Sequence, residues 1–174
     1  MRKYIFLTAI TAGLAITACK HPHTTTYKEV QVPGKFTILV PDYMHATTGI
    51  FNEGKPSLQY GNDSMNVYMI VFDTARQNLN EKTLQQYYDS IAPNSSDSGV
   101  VIASPKYGMV NKDSVMTSNM LASNNGSAAY YRMEAIAAPK RFYYLMMWCK
   151  MSKKDTVDDD FSHVLSSFKD MDPR

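Results

Sequence analysis

The side chains of this 174-residue chain that could do chemistry are four histidines, two cysteines and a run of three aspartates. Cys149 and His163 could in principle form a thiolate–imidazole pair, because a thiol is activated by a neighbouring base. Cys149, however, sits in an alternating stretch in which Tyr143, Leu145 and Met147 share its face, and apolar burial raises a thiol's pKa and makes it inert. His163 lies between Phe161 and Val164 and is expected at the edge of a helix rather than in a catalytic pair. His21-Pro22-His23 offers two imidazoles, but structural zinc sites take four protein ligands and catalytic ones three, so no metal site is expected there. Asp158-Asp159-Asp160 has the oxygen ligands a hard cation wants, yet successive helical residues diverge by about 100°, so the three cannot converge on one ion.

The chain contains no GxSxG elbow, no GxGxxG or phosphate-binding loop, no HExxH and no CxxC pair. No catalytic residue, metal ligand or cofactor is therefore assigned, and ligand-binding residues stay unassigned. Tyr43, Tyr60 and Tyr107 are expected in loops, where they could line a partner or ligand surface. A hydrolase using His45 or His163 with one of the aspartates stays open as the alternative.

What positions these residues begins with the first eighteen. Arg2 and Lys3, an apolar run from Tyr4 to Ile16 and the small residues Thr17 and Ala18 read as an export signal. The run is shorter than the roughly 20 apolar residues of a spanning helix. Ile16-Thr17-Ala18-Cys19 resembles the lipobox of bacterial lipoproteins, which implies cleavage before Cys19 and lipidation of its thiol. Two or more acyl chains hold a protein on a membrane stably where one does not. The implied partner is thus a membrane, reached through a lipid anchor, with a further protein of the cell envelope expected. Loss of residues 1–18 lowers the basic count from 18 to 16, equal to the 16 acidic residues, so the mature chain is neutral and carries no nucleic-acid footprint. Residues 19–26 then form the lipidated cysteine and a tether, and 27–174 a single globular domain. Lipidation would leave Cys149 without a disulfide partner, so the domain must rest on its core.

Periodicity predicts the elements of that domain. Lys35 to Val40 reads as a strand stopped by Pro41, followed by a polar stretch to Gly61. Asn66 to Phe72 and Arg141 to Met151 are apolar on both alternating faces, the mark of strands covered on both sides. Val100 to Ala103, Val115 to Leu121 and about Ala128 to Ile136 complete the set, the last two joined as a hairpin through Asn124-Asn125-Gly126. A helix capped by Asn80 is expected to run to Ile91, and a terminal helix capped by Thr156 to bury Val157, Phe161, Val164, Leu165 and Phe168, with Asp158 to Asp160 complementing its dipole. The class is α+β: an antiparallel sheet of about six strands with helices packed on its faces.

Phe36-Thr37-Ile38-Leu39-Val40-Pro41, Val71-Phe72-Asp73, Tyr143-Tyr144 and Phe161-Ser162-His163-Val164-Leu165-Ser166-Ser167-Phe168 together resemble the PsbP-like superfamily. The resemblance spans most of residues 27–170. It implies an α/β/α sandwich and a role in binding and organising partners, and it carries no catalytic residue with it. The tripeptides starting at Asp63, Asp73, Asp89, Asp113 and Asp155 (Asp, Ser or Thr, then Met, Ala, Ile or Val) look like the O-glycosylation motif of Bacteroidota. With Lys20 and His21, and no acidic pair, after the cysteine, the expected location is the outer membrane, facing the periplasm. The expected function is a membrane-anchored binding or assembly module, with an envelope hydrolase or small-ligand binder as the alternative.

Overall fold

A computed structural model describes residues 24–51, 54–80, 82–93, 99–124 and 126–171. Cys19, expected to be lipidated, and the His21–His23 pair lie outside the described residues. Among the described residues eleven strands and two α-helices follow one another. They are β1 (Tyr27–Val32), β2 (Phe36–Pro41), β3 (His45–Ala46), β4 (Leu58–Asn62), β5 (Val67–Ala75), α1 (Leu84–Ile91), β6 (Val100–Ile102), β7 (Lys106–Val110), β8 (Asp113–Asn124), β9 (Ser127–Ala137), β10 (Arg141–Lys150), α2 (Lys154–Ser166) and β11 (Lys169–Asp170). All pairings are antiparallel. The large sheet has the order β3-β4-β5-β10-β9-β8-β6, with β7 also on β8, and a small sheet has the order β1-β2-β11.

The two-sided apolar strands explain the layering. On β10, Tyr143, Leu145, Met147 and Cys149 face one core together with Val67, Met69 and Val71 of β5, and α2 and the small sheet close it with Phe36, Ile38, Val157, Phe161, Val164 and Phe168. Phe142 and Tyr144 face the other core with Met133, Ala135, Met116 and Met120, and α1 closes that one with Tyr87 and Tyr88. Each fully buried side chain of this size contributes about 1.5–3 kcal/mol, so the alternation along two strands specifies both cores. Tyr87 stacks on Phe142 at 4.6 Å, and the Arg76 guanidinium lies over the same Phe142 ring at 4.8 Å.

The expected α+β class holds, with the strands divided between two sheets. The polar stretch after Pro41 holds β3 and β4, and β1 and β7 are further strands that the apolar pattern does not show. β7 is mostly exposed, and β1 packs only partly against the core, so neither has a strict alternation to betray it. Both helix starts are corrected. Asn80 has φ 50° and ends a single 3-10 turn, Arg76–Leu79, in the left-handed conformation asparagine tolerates. α1 instead starts at Thr83, whose hydroxyl accepts from the Gln86 amide while the Gln86 side chain accepts from the Thr83 N–H, two orphan donors satisfied at once. α2 begins before Thr156, on a 3-10 turn (Met151–Lys153), without a side-chain cap, and Asp155 is the acid in its first turn.

Gly99, at φ +82°, marks the entry to β6, where a Cβ would meet the Ser123 carbonyl oxygen at 2.3 Å. Gly99→Ala is expected to lose about 1–3 kcal/mol through strained backbone and the displaced β6–β8 pairing. Thermal melting checks the loss. Hydrogen exchange at the Ser123 amide, which donates to the Gly99 carbonyl at 2.8 Å, checks its location.

Candidate functional site

The carboxylates of α2 organise one end of the domain, where the chain enters it. Asp160, on the helix face turned to β1 and β2, is buried. It accepts from the Tyr27 hydroxyl at 2.7 Å, the Tyr43 hydroxyl at 2.8 Å and the Thr25 hydroxyl at 3.2 Å. Burial first, and then the hydrogen bond to Asp160, push both phenols far above their ordinary pKa, so they stay protonated donors. The first residues after the tether are thereby pinned to the terminal helix. Two residues away, Asp158 accepts from Tyr130 at 2.7 Å and lies 3.6 Å from Arg132, which donates to Ser162 at 2.7 Å. Asp159 is exposed. The aspartate run thus diverges, and because α2 begins at Lys154 the run lies past its first turn, where Asp158 and Asp160 bind tyrosines rather than complement the helix dipole as expected.

Among the described residues, recesses border the domain surface in two places of interest. One, of about 410 Å3, is lined by His45, Ala46, Thr47, Gly61, Asn62, Asp63 and Ser64. Asn62 shapes its floor: its amide donates to the Tyr43 carbonyl, and its side-chain oxygen accepts from the Ser64 hydroxyl and the Met65 amide. The Ser64 hydroxyl is thus directed at an amide oxygen. The other recess, of about 330 Å3, is lined by Glu29, Ile38, Leu39, His163, Ser166, Ser167 and Lys169. His163 is exposed, with its ring 4.3 Å from that of Tyr27. Cys149 is fully buried in the core, and burial pushes its thiol up to about 11, the state of an inert thiol. His163 and Cys149 therefore stand in opposite environments. Among the described residues no three His, Cys, Asp or Glu side chains gather to hold a metal ion.

No protein family's sequence profile matches the chain, and no curated protein matches it significantly in sequence. Solved structures do. The solution structure of cyanobacterial PsbP (CyanoP) from Synechocystis superposes with a TM-score of 0.60 over 89% of this chain and 98% of that one, at 9% identity. The fold is PsbP-like. LpqN, involved in cell envelope biogenesis of Mycobacterium tuberculosis, gives a TM-score of 0.59 at 12% identity, covering 83% of this chain and 90% of that one. The Saccharomyces cerevisiae Ran-binding protein Mog1p gives 0.51 at 11% identity, over 84% and 96%. At these identities the likeness is one of fold, and chemistry has to be read from this chain's own residues.

Of the three tyrosines expected in surface loops, the structure commits Tyr43 to Asp160, sets Tyr60 on β4 beneath the Lys28 ammonium at 5.1 Å, and exposes Tyr107 on β7. Sequence reasoning missed the opposite end. There Asp73 of β5 is held by Lys35, from the turn joining β1 to β2, at 2.6 Å, and by Arg141 of β10 and Ser57. Tyr143 donates to Asp170 at 2.7 Å and the Lys35 carbonyl at 2.9 Å. Burial alone would raise the Asp73 carboxyl, but its bonds to Lys35 and Ser57 and the charges of Lys35 and Arg141 outweigh it and hold the group below its ordinary range. The only hint in sequence is an acid ending an otherwise apolar strand.

Proposed function

We propose that this chain is a non-enzymatic binding or assembly module of the cell envelope, lipidated at Cys19 and held on the outer membrane facing the periplasm. The observation that carries the reading is the Asp160 latch. Thr25, at the end of the tether, and Tyr27, the first residue after it, are clamped to α2, which supports the reading that this end of the domain is the one nearest the anchor. A fixed attachment point presents the opposite end and both sheet edges to partners in one orientation. The PsbP-like fold supports a binding role, since Mog1p is a Ran-binding protein, and LpqN, involved in cell envelope biogenesis, supports the location. No described helix is long and apolar enough to cross a membrane.

The test is crosslinking from native membranes followed by affinity recovery, comparing wild type with Cys19→Ala. A specific partner recovered only with the anchored protein is the expected result. Recovery of nothing beyond a lipidated chain would shift the reading to a small ligand or substrate in the 410 Å3 recess beside His45, for which an esterase, phosphatase and glycosidase panel is the measurement.

A further inference from the structure

Four of the six large apolar side chains exposed among the described residues, Val101, Tyr107, Met109 and Leu121, lie on the β6–β7–β8 edge of the large sheet. β7 lies with β6 on the outer side of β8, and among the described residues it pairs only with β8, so the other side of its backbone presents donors and acceptors that no described strand takes. Edge strands that stay single are usually guarded by charge, proline or a bulge. Within β7 the only charge is Lys106, at one end, and Pro105 precedes the strand.

We propose that β7 is a homodimerisation strand that pairs antiparallel with β7 of a second copy about a two-fold axis through Gly108. The strand is self-complementary. Tyr107 and Met109 are 66% and 63% exposed and flank Gly108. Their ladder partners are Met116 and Ser114, which places both side chains on the α1 face of the sheet. Two-fold pairing about Gly108 sets Tyr107 of each copy opposite Met109 of the other, burying two aromatic–thioether contacts on one face. Gly108 meets Gly108 at the axis with no side chain between the backbones. The two Lys106 ammonium groups fall about four residues apart along the pair, roughly 14 Å and beyond the screening length, so the charges do not oppose pairing. Tyr107 is already oriented, because its hydroxyl donates to Gln85 of α1, and Met109 rests its sulfur on the Ser114 hydroxyl at 3.7 Å, which reduces the ordering cost of association.

A cysteine at the axis reads the geometry directly. A Cβ on Gly108 meets nothing nearer than Val115 Cγ2 at 3.5 Å, so Gly108→Cys fits the folded strand. In the full-length protein, in detergent, mild oxidation is expected to convert Gly108→Cys to a disulfide-linked dimer at least tenfold faster than Lys106→Cys, whose two positions are too far apart. Sedimentation velocity is expected to show a wild-type dimer, and a monomer for Tyr107→Lys with Met109→Lys at unchanged melting temperature. A wild-type monomer throughout the accessible concentration range, or equal crosslinking at positions 106 and 108, overturns the proposal. So does capture of an extended segment of another protein on β7 in place of a second copy.

Discussion

Asp73→Asn is expected to lower the melting temperature by roughly 6–12 °C, the largest loss from any single polar substitution in this domain, for a cost of about 3 kcal/mol. Asp73 joins three separate parts of the fold by charge: its own strand β5, the turn that starts β2, and β10. Its side chain is 6% exposed, and those of Lys35 and Arg141 33% and 28%. Breaking a buried pair by removing one partner costs about 3–5 kcal/mol, because the remaining charge is left desolvated. Partial hydration of both cations brings the figure to the low end. The amide would still accept one hydrogen bond, yet Lys35 and Arg141 would then face each other across a neutral group.

The pH dependence of that staple has a definite sign. Asp73 has a folded pKa depressed below its ordinary value of 3.8, so the stability it provides is complete above that value and is lost as pH falls through the folded pKa. Wild type should therefore lose stability steeply in acid, and Asp73→Asn should be less stable at neutral pH but flatter below pH 4. Chemical denaturation at several pH values separates the two curves. A double-mutant cycle with Lys35→Met isolates the pairwise part.

The sequence made the cores legible and left the polar network hidden, for a physical reason. Leu145, Met147 and Cys149 against Phe142 and Tyr144 is a period-2 pattern, written in adjacent residues, and the observed cores divide along it. The Asn124–Ser127 pairing is likewise local, closed by Gly126 at φ +79°. By contrast, Asp73 meets Lys35 from 38 residues away and Arg141 from 68, and Asp160 meets Tyr27 across 133. Such contacts depend on which strands become neighbours, and no spacing rule encodes them. The short strands β1 and β7 were hidden for a related reason: each gains its place by pairing with a neighbour, β1 with the well-buried β2 and β7 with the longer β8, rather than by an apolar face of its own.

Glu134 is where folding carries a cost, and Glu134→Gln is expected to stabilise the domain at pH 8 by about 3 kcal/mol. Glu134 stands in the middle of β9, 3% exposed, on the face covered by α2. One carboxylate oxygen accepts from Thr117 at 3.0 Å, while the other is buried with no hydrogen-bond partner, as is Nε of Arg132 two residues earlier on the same face. Burial pushes the group up to about 7 from an ordinary 4.5, and the Thr117 hydroxyl and the Arg132 charge only partly offset that. The folded state thus holds the proton more tightly than the unfolded chain, so the destabilisation is absent below pH 4.5, grows as pH rises through about 7, and is constant above. This is opposite in sign to Asp73. The two together place maximal stability near pH 4, above the ordinary 3.8 at which the Asp73 contribution is complete and below the 4.5 at which the Glu134 penalty begins. Gln keeps the acceptor for Thr117 and removes the charge, so the variant's stability should stay level from pH 5 to 8 while the wild type declines. Glu134→Met, similar in volume and without a polar end, checks that the gain comes from the lost charge rather than from the amide. If both variants follow the wild-type decline between pH 5 and 8, another group is responsible and Glu134 is solvated in the folded protein.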